Sequence, residues 1–211
     1  MSRNEEKQTI VRQEYDKAAS SYEREWSYYI KSTSLETLQR MNLSSDSRVL
    51  DVGCGTGYFL NLLRSSGFSG HATGVDLSSN MLLQARENNP SASIDYVAGQ
   101  SAELPFRSNS FTTVVSNNAF HFFLRPKSFL QEINRVLVEG GELYITDWDD
   151  EFWACWLCDY YLRLTDPAHT KVYGAEELRE LVRSQNFRVD FVDSYKIDWL
   201  WGLMTLKATK R

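Results

Sequence analysis

The residues of this chain most suited to chemistry lie together in Val49-Leu50-Asp51-Val52-Gly53-Cys54-Gly55-Thr56-Gly57. A short apolar run passes into alternating glycines, so backbone can approach a ligand there without interference from Cβ atoms. Asp76 ends the next apolar run, His71-Ala72-Thr73-Gly74-Val75-Asp76, 19 residues beyond Gly57. A carboxylate at that strand end can accept hydrogen bonds from both hydroxyls of a ribose, and the combination predicts an adenosine-containing ligand. A dinucleotide fits poorly. The fingerprint Gly-x-Gly-x-x-Gly, begun at Gly53, needs glycine where Tyr58 stands. Asp51 would repel a diphosphate, whereas it would welcome the ammonium of a methionine moiety.

Positioning those residues requires a strand before each acid and a helix after each turn. Arg48–Val52, His71–Asp76, Ile94–Ala98, Phe111–Ser116 and Glu142–Trp148 read as five buried strands. Helices are expected over Tyr58–Ser66, from a Ser78 cap to Asn88, and over Pro126–Leu137, the last broken by Gly140-Gly141. This alternation predicts a doubly wound, Rossmann-like α/β fold. After a helix over Ala175–Gln185, the runs Phe187–Ile197 and Trp201–Lys210 are too closely linked for a crossover, so they should pair antiparallel at a sheet edge. Before the core, Glu5–Ala18 and Ser20–Met41 read as helices. Tyr15, Tyr22, Trp26 and Tyr29 fall near one face of them, either as a lid over a ligand or as a packing face.

Bulk properties narrow the class. The 211 residues carry 23 Lys+Arg against 28 Asp+Glu, a net charge of −5 with no basic run, which argues against a nonspecific nucleic-acid grip. The length suits one domain. Its expected parts are an N-terminal helical segment (1–42), a core carrying the glycine turn (43–148), an insertion (149–174), and a C-terminal helix with a strand pair (175–211). The polar start and three cysteines lead us to expect a reducing, cytoplasmic setting, with no disulfide framework and no metal site. Cys155-x-x-Cys158 reads as core packing. Two aromatic-rich stretches remain compatible with peripheral membrane contact, and the oligomeric state is not encoded legibly.

These motifs resemble those of class I S-adenosylmethionine-dependent methyltransferases, specifically the methyltransferase type 11 group. Val49–Gly57 matches that family's first motif, and Gly74-Val75-Asp76-Leu77-Ser78 the second, with Met81 where the family packs a side chain on adenine. Gly99-Gln100-Ser101-Ala102-Glu103-Leu104-Pro105-Phe106 resembles the third, with Gln100 replacing an acid, and Glu139-Gly140-Gly141 resembles the turn before the fifth strand, with Glu139 replacing proline. The resemblance implies a seven-stranded, mostly parallel sheet. It also implies S-adenosyl-L-methionine as cofactor, with S-adenosyl-L-homocysteine as product. The implied cofactor residues are Tyr22, Asp51, Gly53, Cys54, Gly55, Gly57, Asp76, Leu77, Met81, Gln100, Ser101, Ala102 and Asn117.

The same resemblance puts the reacting methyl near Ser116-Asn117-Asn118-Ala119-Phe120-His121. His121 is the candidate base, because an imidazole titrates near neutrality; the alternative is that it packs at a helix start. The absence of proline here sets aside methylation of a planar amino group. Substrate contacts are expected from Tyr15, Trp26, Trp148 and Tyr173. The aromatic stretch Asp147–Tyr161 would form either an apolar pocket or a helix buried on the sheet. The expected function is methyl transfer to a small-molecule or lipid-like acceptor, a class that includes quinone rings. A non-catalytic cofactor-binding scaffold is the alternative.

Overall fold

The computed structural model describes residues 3–89, 93–165 and 169–211. Strand periodicity organises its core. Val49 and Leu50 point to opposite faces of β1 (Arg48–Val52), each into its own apolar cluster. On one face Leu50 lies beside Val114 of β4 (Phe111–Asn117), which lies beside Leu143 of β5 (Leu137–Trp148). Under that row pack Phe129, Leu130 and Ile133 of α6 (Pro126–Val136), all fully buried. On the other face Val49 and Tyr144 meet Leu60 and Leu63 of α4 (Tyr58–Ser65) and Leu82 of α5 (Ser79–Asn88).

With β2 (His71–Asp76), β3 (Asp95–Ala98), β6 (Phe187–Lys196) and β7 (Gly202–Lys210), the sheet has the order β3-β2-β1-β4-β5-β7-β6. β1 through β5 pair in parallel, and β7 lies antiparallel between β5 and β6. The C-terminal strands therefore pair as expected, with β6 at the edge and β7 inside. Strand order reverses between β1 and β4, so the carboxyl ends of those strands open into a crevice.

Three local expectations change. The predicted helix Ser20–Met41 is two helices, α2 (Tyr22–Glu25) and α3 (Ser27–Gln39), separated at Trp26. Tyr15, Tyr22, Trp26 and Tyr29 thus converge through tertiary packing of α1 (Arg3–Ala18), α2 and α3 rather than along one face. α6 stops at Val136, before the glycines, and β5 begins at Leu137 with a register shift opposite Phe111/Thr113, with Gly140 (φ +72°) beside it. The aromatic stretch after β5 forms α7 (Trp153–Thr165), most of whose large side chains face outward rather than into core or pocket. α8 (Ala175–Arg183) closes the fold beside β6.

Candidate active site

The turn after β1 passes through Gly53, Gly55 and Gly57, all in the left-handed region at φ +79°, +51° and +78°. Each answers a different requirement. A Cβ on Gly53 would lie 2.5 Å from Ala119 Cβ, and one on Gly57 would fall on the Tyr96 hydroxyl, so both are set by packing. A Cβ on Gly55 would meet nothing within 4 Å; Gly55 borders a cleft. Asp76 Oδ2 accepts the Gly55 N–H at 2.9 Å, and its Oδ1 accepts the Ser78 N–H at 2.8 Å. The second acid thereby holds the glycine loop in place. Ser78 caps α5 as expected, its Oγ accepting the Met81 N–H at 3.1 Å.

Asp51 lies beneath the loop, 2% exposed, and its Oδ1 has no hydrogen-bond partner. Burial and the nearby Asp76 carboxylate push its pKa up to about 8. Burial also raises Asp76, against the hydrogen bonds that favour its charged form. Two crowded carboxylates, one with an orphaned oxygen, fit a ligand bearing positive charge and reject a diphosphate. The cleft is lined by Tyr15, Tyr22, Asp51, Gly53, Cys54, Gly55, Asp76, Leu77, Met81, Gln100, Ser101 and Asn117. Gly57 and Ala102, expected at the cofactor, do not line it. Gly57 is turned against Tyr96 and Ala85.

Helix α1 roofs this cleft with Gln8, Val11 and Tyr15. It is latched to α5: Ser78 Oγ donates to Asp16 Oδ1 at 2.6 Å, and Asn80 Nδ2 donates to the Asp16 carbonyl at 3.0 Å.

A second cavity of about 260 Å³ adjoins the first, with room for a ring system rather than isolated waters. Tyr15, Tyr22, Asn118 and Phe122 line both. Glu14, Ala18, Trp26, Tyr29, Trp148, Leu162 and His169 complete its walls with His121. The His121 Nδ1 lies 2.6 Å from Asp147 Oδ1, and Asp147 also accepts the backbone N–H groups of His121 (2.9 Å) and Trp148 (2.8 Å). The imidazole stacks on Trp148, ring centroids 5.3 Å apart. A carboxylate on Nδ1 fixes the proton there and leaves Nε2 as the basic nitrogen. Beside it, 5.8 Å between centroids, stands His169, whose Nε2 lies 2.7 Å from Asp159 Oδ1. Burial would raise the Asp159 pKa, but hydrogen bonds from His169, the Val172 N–H and Arg163 outweigh it and hold the carboxylate below its usual range.

The boundary between the cavities is rigidly built. Trp148 Nε1 donates to the Tyr29 hydroxyl at 2.5 Å, and Tyr29 donates to Asn118 Oδ1 at 2.9 Å. Asn118 Nδ2 donates to Thr33 Oγ1 at 2.7 Å. Burial raises the Tyr22 phenol to about 12, with Asp76 and Asp147 adding to the shift, as expected of a side chain lying between the two sites.

Of the residues expected at the acceptor, the structure gathers Tyr15, Trp26, Trp148 and His121 around one cavity. Tyr173 is not among them: its ring packs on Phe120 (5.2 Å) and lines shallow surface depressions instead. Asn118 had no assigned role, whereas His169, like Tyr173 a candidate for the pocket mouth by its place before the last helix, does line the cavity. Asn118, at φ +58°, carried one signal, an Asn-Asn pair at a strand end, since Asn tolerates that conformation. The Asp159–His169 pairing has no local periodicity to announce it.

Residues 50–145 match the family described as methyltransferase domain. The demethylmenaquinone methyltransferase of Listeria welshimeri is 30% identical over 181 residues, covering 81% of this chain and 76% of that protein. Among solved structures, a chain of the Haloferax volcanii complex containing the Trm112 methyltransferase activator superposes with a TM-score of 0.82 at 24% identity, over 94% of this chain and 96% of that one. An S-adenosylmethionine-dependent methyltransferase from Thermotoga maritima gives 0.77 at 20% identity, over 95% and 100%.

Proposed function

The chain belongs to the class I S-adenosylmethionine-dependent methyltransferases, and from that premise we propose that it methylates a hydroxyl-bearing ring of quinone or lipid-like type held in the aromatic cavity. The carrying observation is the His121–Asp147 pair on the wall of that cavity. A carboxylate-held imidazole suits an acceptor that must give up a proton. The aromatic walls suit a flat apolar ring, and the demethylmenaquinone methyltransferase relative supports the same class.

S-adenosylmethionine, when bound, supplies an electrophilic methyl on a sulfonium and leaves as S-adenosylhomocysteine. Asp51 would hold its ammonium, Asp76 its ribose hydroxyls, Leu77 and Met81 its adenine, and Gln100 and Ser101 the adenine edge. Gly55 leaves the space for close approach. Tyr22 and Asn118 line the passage between the cavities and orient what lies across it. His121 Nε2 takes the hydroxyl proton, which makes either the oxygen or an adjacent ring carbon nucleophilic. Asp147 keeps the imidazole oriented and stabilises the imidazolium that forms. Tyr15, Trp26 and Trp148 exclude water from the transfer path.

A radiolabelled-methyl assay on lysate split into aqueous and lipid pools tests the acceptor class. Label should enter the lipid pool and fall sharply with His121→Asn; label confined to water-soluble products would overturn the lipid-like reading.

A further inference from the structure

Helix α7 is inside out. Its inward positions carry Ala154, Cys155 and Asp159, while Trp153, Trp156, Leu157, Tyr160, Tyr161 and Leu164 point outward at 50–71% exposure. A helix packed on a globular core normally presents its large apolar side chains inward. Here the exposed side is the more apolar one, and contiguous apolar surface of this kind marks a contact site. α7 is held in place by other means: Cys155 Sγ donates to the Gly202 carbonyl at 3.2 Å, and Asp159 gathers His169, Val172 and Arg163.

We propose that the outer face of α7 lies on a lipid bilayer surface and, given the lipid-like acceptor proposed above, brings that acceptor to the aromatic cavity. Three observations favour a bilayer over another macromolecule. First, the face is two Trp, two Tyr and two Leu, the amphipathic aromatics and aliphatics that partition to the headgroup boundary. Second, the face carries no net charge to hold back in water: the only exposed charged side chain on α7 is Arg163, and it is paired with the buried Asp159. Third, the same helix walls the acceptor site with its inner side. Leu162 of the same helix lines the cavity, and Trp26 both lines it and is 40% exposed. Among the described residues, no helix is long and apolar enough to cross a membrane, so α7 would rest on the surface.

Co-sedimentation of the full chain with vesicles of phosphatidylcholine, alone and with phosphatidylglycerol, tests the proposal. The double variant Trp156→Ser, Tyr160→Ser removes two outward rings and no cavity-lining side chain. Wild type should partition to the vesicles without needing phosphatidylglycerol, and the variant should lose about tenfold or more of that partition. The variant's melting temperature and S-adenosylmethionine affinity should be unchanged. Wild type that stays in the supernatant with both vesicle types overturns the proposal. So does a wild-type dimer that becomes monomeric in the variant, which would make the face a self-interface. If vesicle binding is present but the lipid pool takes no label, the acceptor assignment fails while the surface assignment stands.

Discussion

His121 and Asp147 are joined twice: the carboxylate binds the imidazole Nδ1 at 2.6 Å and the backbone N–H of the same residue at 2.9 Å. Ring and main chain are fixed by one group, so rotation of the imidazole breaks a buried charge-assisted hydrogen bond. His121→Asn should lower turnover about 10²–10⁴-fold, the range for removing a positioned base. Cofactor affinity should hold, because His121 does not line the glycine cleft. Asp147→Asn should lower turnover too, and also destabilise the 3-10 turn Phe120–Phe122. Methyl-transfer kinetics beside calorimetric titration with S-adenosylmethionine separate the two effects.

The raised pKa of Asp51 makes the free protein's stability depend on pH. Its folded value, about 8, lies above the ordinary carboxylate value of 3.8. The folded state therefore holds a proton that the unfolded state releases. This contribution is complete below about pH 4 and is lost as pH rises to about 8. Asp51→Asn should flatten that slope and raise the melting temperature of the free protein near its upper end, by on the order of a few kcal/mol of stability. Cofactor ammonium would pull the carboxylate pKa down, so binding near neutrality should release a proton. Calorimetry in buffers of different ionisation enthalpy measures it; heats independent of buffer would count against this placement.

Gly55 and Gly57 should answer substitution differently. Gly55→Ala meets no atom, so its folding cost is left-handed strain of roughly 1–2 kcal/mol, while a methyl in the cleft should weaken cofactor binding about tenfold or more. Gly57→Ala collides with Tyr96 and adds roughly 1–3 kcal/mol of overpacking. Tyr96→Phe removes the nearest atom and should recover part of the Gly57→Ala loss. Equal responses in melting temperature and affinity at the two positions would refute this division.

Asp16 ties the roof helix to α5 through Ser78 and Asn80. Asp16→Ala should accelerate cofactor release several-fold in stopped-flow measurements, with about 1 kcal/mol lost in stability. An unchanged release rate would mean that α1 does not gate the cleft.

What was legible in the sequence was what backbone periodicity and turn chemistry determine locally. Strand ends at Val52, Asp76, Ala98 and Trp148 fall where the apolar runs end, and Ser78 caps as its type dictates. The glycine turn and its acid were readable because the fold gives that spacing one geometry. Trp26 was not readable as a break, since neither Gly nor Pro marks it and the two helices diverge for tertiary reasons. The orientation of α7 was equally hidden: aromatic content gives no direction when both faces are apolar. His169 is held at the cavity wall by Asp159, ten residues earlier, a contact that no local pattern announces.

Placing β7 between β5 and β6 has a consequence for how the sheet is assembled. β7 is made after every other strand, yet it alone joins β6 to the rest. Until Gly202–Lys210 has emerged, β5 is left with an open edge of unpaired backbone groups along Glu142–Trp148. β6 then has no partner at all. Completion of the sheet is therefore a late, long-range event, the kind that slows folding and leaves an aggregation-prone edge in the interval. Helper proteins that shield strand edges should matter more to the yield of this chain than to that of a fold whose last strand only extends the margin.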